Sequence, residues 1–193
     1  PHLMDVGGID AYVEEGVDLL AEWDQNDDAD SGAAAFFNVV WARVLELTFH
    51  DDLRERIHPK GGSRWIAVVE NLLTKPAHVL WDDRDTTDVV EVRDDILRQA
   101  LIEARDEMTQ MQSVNPDKWS WGRSHDLALT HPTLGTSGIG LVEGVFNRDG
   151  GGIGGGAGSP NATAWDAGVG YTVTTAPSMR MVISLADFDD SRW

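Results

Sequence analysis

The stretch 30-DSGAAAFFNVVWARVLELTF-49 decides the fold of the N-terminal half. Its apolar residues recur at steps of three and four, which predicts a helix with a continuous apolar face. Asp30 or Ser31 can cap the first turn, because a short polar side chain accepts a hydrogen bond from a free backbone N–H. The large apolar residues of this predicted helix are Phe36, Phe37, Val40, Trp41, Val44, Leu45 and Leu47.

The same spacing predicts helices on both sides of this stretch. One helix precedes it and ends at the polar run 24–30, and a short one can be capped by Ser63 and is stopped by Pro76. The first carries Ile9, Tyr12, Val13, Val17, Leu20 and Trp23, and the short one carries Trp65, Ile66, Val69, Leu72 and Leu73.

The longest predicted helix runs from Asp88 to about Gln112. Asp88 with Glu91 three residues later forms a plausible capping pair. We therefore expect residues 1–115 to form a helical region.

After Asn115-Pro116 the apolar period changes from helical spacing to alternation, which predicts strands with one buried face. The run 150–158 contains seven glycines in nine positions and predicts a flexible loop. We expect 116–193 to be β-rich, and helices followed by antiparallel strands indicate an α+β fold. The alternating apolar residues are Trp119 and Trp121, then Leu127 and Leu129, then Met179, Met181, Ile183 and Leu185.

Composition excludes several classes of function. The chain has 193 residues, 15 basic against 33 acidic, a net charge of −18 and no cysteine. Such a charge disfavours nucleic acids and anionic membrane surfaces as partners. The absence of cysteine excludes disulfides and thiolate metal sites. No apolar run approaches the roughly 20 residues that span a bilayer, and no signal peptide is visible at the N-terminus.

The kind of charge is also informative. The acids are 23 Asp to 10 Glu, and the cations are 12 Arg to only 3 Lys. A surface rich in Asp and poor in Lys favours adaptation to high salt, where self-repulsion is screened. The alternative is an acidic protein with no such adaptation.

Two motifs contain the residue types of catalytic or metal sites. Ser124-His125-Asp126 has the composition of a triad, but strand neighbours point to opposite faces and cannot form the required relay. His125 and His131 lie six apart and would face one side of a strand. Two ligands do not make a zinc site, and we expect both rings to hydrogen-bond within the fold. No metal site is predicted.

Two further patterns fail on their spacing. Residues 24–28 begin like a calcium loop, but Ala29 stands where glycine is needed and Ala35 where glutamate is needed. A solvated loop between helices is the better interpretation. The glycines of 150–155 satisfy G-x-G-x-x-G without the strand, helix and acid that dinucleotide binding requires.

Spaced residues along nearly the whole chain together resemble the penicillin acylase (penicillin amidase) family of N-terminal-nucleophile hydrolases. Their order and approximate spacing are similar to the last part of the large subunit. The matching residues are 19–24 (LLAEWD), Asp30-Ser31, Phe36-Phe37, Trp41, 119–122 (WSWG), His125, His131-Pro132, 146–148 (FNR), the glycine stretch, Asn161-Ala162, 176–182 (APSMRMV), 185–187 (LAD) and 189–191 (DDS).

The resemblance implies part of an αββα fold and a precursor that is cut to expose an N-terminal serine. In the family that serine attacks an amide carbonyl, its own α-amino group acts as base, and backbone and asparagine donors hold the oxyanion. An amine with a pKa of about 8 can accept the serine proton at neutral pH. Substrates in the family include β-lactam amides, acyl-homoserine lactones and other N-acyl compounds.

The resemblance places the catalytic serine and the oxyanion asparagine upstream of this chain, so no catalytic residue is assigned here. Asn161 is the one candidate for a residue that supports the active centre; the alternative is that it anchors the turn after the glycine run. No cofactor is expected, because the family's calcium ligands lie mostly upstream. The implied partners are the remainder of the precursor and a small N-acyl substrate, and the resemblance favours an extracytoplasmic location.

Three interpretations follow. In the first, the chain is a C-terminal, structural and catalytically silent piece of such an amidohydrolase, both of its ends lie within longer sequence, and unpaired strand edges allow the piece to form homo-oligomers. In the second, it is an autonomous acidic α+β binding module whose eight tryptophans form a ligand surface, although apolar spacing places them in the core. In the third, it is a small enzyme acting through residues 124–126.

Overall fold

The fold was analysed in a computed structural model that describes residues 1–177, 181 and 183–191. These residues form four α-helices followed by two small antiparallel sheets, with a fifth helix between the first two strands in chain order, which confirms an α+β fold. The helices are α1 (Ala11–Ala21), α2 (Gly32–Phe49), α3 (Ser63–Leu73), α4 (Arg93–Met111) and α5 (Gly140–Phe146), and the strands are β1 (Asp126–Leu129), β2 (Arg148–Gly152), β3 (Ala164–Asp166) and β4 (Gly170–Thr175).

Helix α2 is the centre of the core and packs against α1 and α4. Ser31 caps it, since its hydroxyl accepts the N–H of Ala34 at 3.0 Å. Phe36, Val39 and Leu45 are at most 1% exposed. By length and composition α2 could cross a membrane, but 67% of it is buried inside the protein, as in a core helix.

Two predicted helix starts are wrong. The cap of α3 is Gly62, and Ser63 is already its first residue. Helix α4 begins at Arg93, five residues after Asp88, and the carboxylate of Asp95 accepts the N–H of Val92 at 3.2 Å. Glu91 precedes the helix, and its carboxylate accepts the Thr86 hydroxyl at 3.0 Å within the preceding loop.

The strand predictions were correct in one place only. Residues 126–129 form β1 as expected. Trp119 and Trp121 both point into the core, at 3% and 0% exposure, but Trp121–Arg123 is a 3₁₀ turn. The Ser124 N–H closes this turn by donating to the Trp121 carbonyl at 3.0 Å, and the Trp121 N–H donates to the Ser31 carbonyl at 3.0 Å. Met179, Arg180 and Val182 lie outside the described residues, and residues 181 and 183–185 form no strand.

The glycine run is partly a strand, which corrects the predicted loop. Strand β2 contains residues 150–152 and pairs with β1, with Gly152 opposite Asp126. A β-carbon on Gly152 would collide with the carbonyl of Gly122, so glycine allows the two backbones to approach. Strands β3 and β4 and helix α5 were not predicted.

The tryptophans are core residues rather than a ligand surface. Trp81, Trp119, Trp121 and Trp165 are at most 5% exposed. The partly buried Trp23, Trp41 and Trp65 pack against this core, and Trp193 lies outside the described residues.

Candidate functional site

A buried aromatic centre joins the helical region to both sheets. It consists of Trp121, His125, Trp165 and Tyr171, which are between 0% and 8% exposed. The rings of Trp121 and His125 stack with centroids 4.4 Å apart, and Trp165 lies 5.1 Å from Tyr171. This centre includes His125, which the sequence singled out.

His125 acts as a cross-link between β4 and the segment before β3. Its Nδ1 lies 2.7 Å from the Tyr171 carbonyl, which can only accept, so Nδ1 carries the proton. Its Nε2 lies 3.2 Å from the Thr163 hydroxyl. Burial lowers the pKa of His125 and favours the neutral ring. The neutral Nδ1–H form satisfies the contact with Tyr171, and the single Thr163 hydroxyl proton is shared between Nε2 and the Gly154 carbonyl, which lies 2.8 Å from the hydroxyl oxygen.

The neighbours of His125 point elsewhere, as predicted. The Ser124 hydroxyl accepts from the Gln112 amide at 2.8 Å, and the Asp126 carboxylate accepts from the Thr172 hydroxyl at 3.0 Å. The three side chains therefore form no proton relay, and an enzyme acting through them is excluded.

His131 also hydrogen-bonds within the fold. Its Nδ1 accepts the N–H groups of Thr133 and Leu134 at 3.2 and 3.1 Å. It lies beyond the end of β1 at Leu129, so the predicted shared strand face with His125 is wrong. Within the described part of the chain, no group of three or more metal-ligating side chains converges.

The acidic loop 24–30 is a structural connection. The Asp24 carboxylate accepts the Asn26 N–H at 3.0 Å, and this bond lowers the pKa of Asp24. Burial raises the pKa of Asp27, whose carboxylate accepts the Asn38 amide at 3.2 Å. The Asp27 carbonyl accepts the Gly155 N–H at 2.7 Å, so this partly buried loop is hydrogen-bonded to the glycine run.

Asn161 lies in the turn that follows the glycine run. It is exposed, and its amide nitrogen donates to the Gly154 carbonyl at 2.7 Å. Its backbone carbonyl accepts the Gly156 N–H at 3.2 Å and leaves no room for a β-carbon on Gly155, which has φ +99°. The run continues into this turn and β3 rather than into a helix, which confirms that the G-x-G-x-x-G match is not a dinucleotide motif.

Sequence reasoning missed a cleft of about 580 Å³ with a buried cation at its base. The Arg105 side chain is 0% exposed, and its guanidinium carbon lies 4.0 Å from the centre of the Tyr12 ring and 4.9 Å from that of Trp119. The sequence feature that could have indicated this cleft is an arginine, Arg105, on the apolar face of α4. The cleft is lined by Tyr12, Glu15, Asp18, Leu19, Arg105, Val114, Asn115, Pro116 and Asp117.

The guanidinium of Arg105 is held by the protein itself. Its Nε donates to the Tyr12 carbonyl at 2.8 Å, and its terminal nitrogens donate to the Thr109 hydroxyl at 2.7 Å and the Val114 carbonyl at 2.9 Å. Arg105 therefore joins α1, α4 and the following loop, and it has little capacity left for a ligand.

The sequence model of the family described as penicillin amidase matches residues 1–193. The chain is also 24% identical over 205 residues to the acyl-homoserine lactone acylase QuiP of Pseudomonas syringae pv. tomato, an alignment that covers 93% of this chain. The chain spans 24% of the length of that relative. The match over every residue shows that the chain belongs to the penicillin amidase family.

Proposed function

We propose that the chain is the C-terminal part of the large subunit of a penicillin-acylase-like amidohydrolase, which cleaves N-acyl amide bonds. The observation that carries this proposal is the family match over residues 1–193 combined with coverage of 24% of the acylase relative. The name of the relative states that its substrates are acyl-homoserine lactones. We extend to this protein only the broader class of N-acyl substrates.

In this proposal the catalytic serine belongs to the part of the acylase that precedes this chain. Its α-amino group would accept the hydroxyl proton as the hydroxyl attacks the amide carbonyl, giving an acyl-enzyme and then a carboxylic acid plus an amine. The chain itself supplies structure. The inward packing of His125 and Trp121 supports this role, since both are 0% exposed and hold the sheets to α2.

Exposed apolar side chains on α5 support a contact with the remainder of the acylase. Leu141 is 83% exposed, Val145 55% and Phe146 44%, and Ile139 just before the helix is 58% exposed. Adjacent apolar residues of this size mark surfaces that another polypeptide covers. Unpaired strand edges would otherwise favour self-association of the piece.

The test is amide hydrolysis by the 193-residue chain and by the full acylase, with an N-acyl chromogenic substrate at low and high salt. We expect hydrolysis only by the full acylase, and more of it at high salt if the acidic surface is a salt adaptation. Hydrolysis by the chain alone would refute the structural role. Absence of hydrolysis by the full acylase would refute the proposal that it is an amidohydrolase.

We also propose that Asn161 supports the active centre of the assembled enzyme. It is exposed, and its amide oxygen receives no hydrogen bond from the described residues, so a polar group of the substrate or remainder can reach it. Asn161→Ala in the full acylase should lower kcat/KM by about tenfold. The fall should come from kcat, with little change in KM. A loss of thermal stability with unchanged kcat/KM would mean that Asn161 only anchors its turn.

A further inference from the structure

Residues 53–81 carry an excess of positive charge in a strongly acidic chain. Five of the 15 basic residues lie here against two of the 33 acidic ones, so the segment has a formal charge of +3 while the chain has −18. Two of the three lysines also fall in this segment. The basic residues are Arg54, Arg56, Lys60, Arg64 and Lys75, and the acidic ones are Glu55 and Glu70.

Part of this segment forms a groove of about 470 Å³ between α3 and the residues that follow it. We call it the α3 groove. Its floor is apolar and its rim carries two cations and a histidine, with no carboxylate in the lining. It is lined by Arg64, Ala67, Val68, Asn71, Leu72, Lys75, His78 and Leu80.

Neither of the two rim cations forms an ion pair within residues 1–177, 181 and 183–191. Arg64 forms no ion pair with the described residues, and the Lys75 ammonium donates to the Asn71 amide oxygen at 2.6 Å. His78 is partly buried, and its Nδ1 accepts the Leu80 N–H at 3.2 Å. In contrast, carboxylates pair with Arg43, Lys60, Arg84, Arg93, Arg98 and Arg105.

We propose that the α3 groove binds an acidic, amphipathic segment of the remainder of the acylase. Apolar side chains of that segment would cover Val68 and Leu80, and its carboxylates would pair with Arg64 and Lys75. Charge complementarity selects the partner, because free cations in a carboxylate-rich protein attract anionic segments and repel basic ones. This inference rests on the proposed function, which supplies the partner.

The three lysines give a direct test in the full acylase. The acylase is treated with acetic anhydride, and the acetylation rates of Lys60, Lys75 and Lys118 are measured by mass spectrometry before and after denaturation. Lys75 should be protected about tenfold in the native enzyme, which corresponds to a contact populated about ten to one. Lys118, which is exposed and forms no ion pair with the described residues, is the internal comparison, since Lys60 is paired with Asp166 at 3.1 Å. Native and denatured rates that agree for Lys75 would overturn the inference.

Charge reversal then separates an acidic partner from a neutral one. Arg64→Glu should reduce the protection of Lys75 by about threefold, the scale of one exposed ion pair. Arg56→Glu is the matched control, since Arg56 is exposed, lies in the same segment and does not line the groove. Protection that survives Arg64→Glu would overturn the acidic partner. Amide hydrolysis is measured on the same samples: an active acylase with unprotected Lys75 refutes the groove alone, and an inactive one refutes the proposed function.

Discussion

Replacement of Arg105 by methionine should destabilise the chain more than any comparable change on the surface of α4. Methionine keeps much of the side-chain volume, so the substitution removes mainly the hydrogen bonds and the charge. Arg105 is 0% exposed and donates to the carbonyls of Tyr12 and Val114 at 2.8 and 2.9 Å.

The magnitude follows from these contacts. Each buried acceptor that loses its donor costs about 1 kcal/mol or more. The loss of the guanidinium from the Tyr12 and Trp119 rings costs about 1–2 kcal/mol in total. The ion pair with Glu15, whose side chain is 59% exposed, contributes less than about 1 kcal/mol. Arg105→Met should therefore lower the free energy of unfolding by about 3–4 kcal/mol.

Urea unfolding followed by tryptophan fluorescence measures this difference, and Trp119 beside Arg105 reports on the site. With a slope of about 2 kcal/mol per molar urea, the midpoint should fall by about 1.5–2 M. Arg98→Met is the matched control in the same helix, because Arg98 is 33% exposed and its Asp95 partner is 41% exposed. Its midpoint should fall by less than about 0.5 M.

Two results would refute this reasoning. A buried charge can be replaced by an apolar side chain without loss of stability when its desolvation cost matches the interactions that it makes. An Arg105→Met midpoint within about 0.5 M of the wild type would mean that this is the case here. Equal shifts in the two variants would mean that burial of the guanidinium contributes nothing specific.

Two further substitutions test the glycine strand and the aromatic centre. Gly152→Ala should lower the free energy of unfolding by about 2–3 kcal/mol, because its β-carbon meets the Gly122 carbonyl. Gly144→Ala is the control, since a β-carbon there has open space and the change should be neutral or stabilising. Equal effects of the two changes in thermal unfolding would contradict the close approach at Gly152. The lowered pKa of His125 means that the unfolded chain binds more protons, so the stability that His125 contributes is present above about pH 6.5 and is lost as pH falls. His125→Asn should flatten the rise of unfolding free energy with pH just below about pH 6.5 by up to about 1.4 kcal/mol per pH unit, and an unchanged slope would contradict a buried neutral ring. His50, whose pKa is lowered by burial and by His58, contributes a residual slope in both proteins.

The helices could be predicted because their signals are local. The apolar spacing of 30–49 predicted α2, and Ser31 supplies the expected cap. The predicted starts of α3 and α4 were wrong, and at α4 a contact distant in sequence lies at the boundary. At α4, the Arg93 N–H donates to the Pro76 carbonyl at 2.9 Å, a contact that no local pattern contains.

Strand β1 was predicted, but β2 was not, because its partner β1 lies far away in sequence with α5 between them. The glycine run has the composition of a flexible loop, yet Gly152 is held between β1 and the Gly122 backbone. Glycine at this position allows the backbones of residues 152 and 122 to approach closely, and it does not make this part of the run a flexible loop. For Trp119 and Trp121 the predicted burial was correct, but the predicted strand was wrong. Both side chains enter the core, Trp119 from a loop and Trp121 from a 3₁₀ turn.

The candidate site was predicted in part. The expectation that His125 hydrogen-bonds within the fold is confirmed by its contacts with Tyr171 and Thr163. The cleft over Arg105 was missed, because a cation on an apolar helix face indicates burial without indicating its partners. The supporting role of Asn161 stays a prediction.

The distribution of charge connects the core to the proposed salt adaptation. At an ionic strength of 1 M the screening length is about 3 Å, so repulsion among the exposed acids that give the net charge of −18 is largely removed. Exposed ion pairs such as Arg84–Asp52, whose arginine side chain is 61% exposed, weaken under the same conditions. Arg105 and the stacked His125 and Trp121 are buried and are screened much less. A core held by aromatic packing and buried hydrogen bonds therefore keeps its stability in salt while the acidic surface loses its self-repulsion, and we expect the chain to become more stable as salt is added.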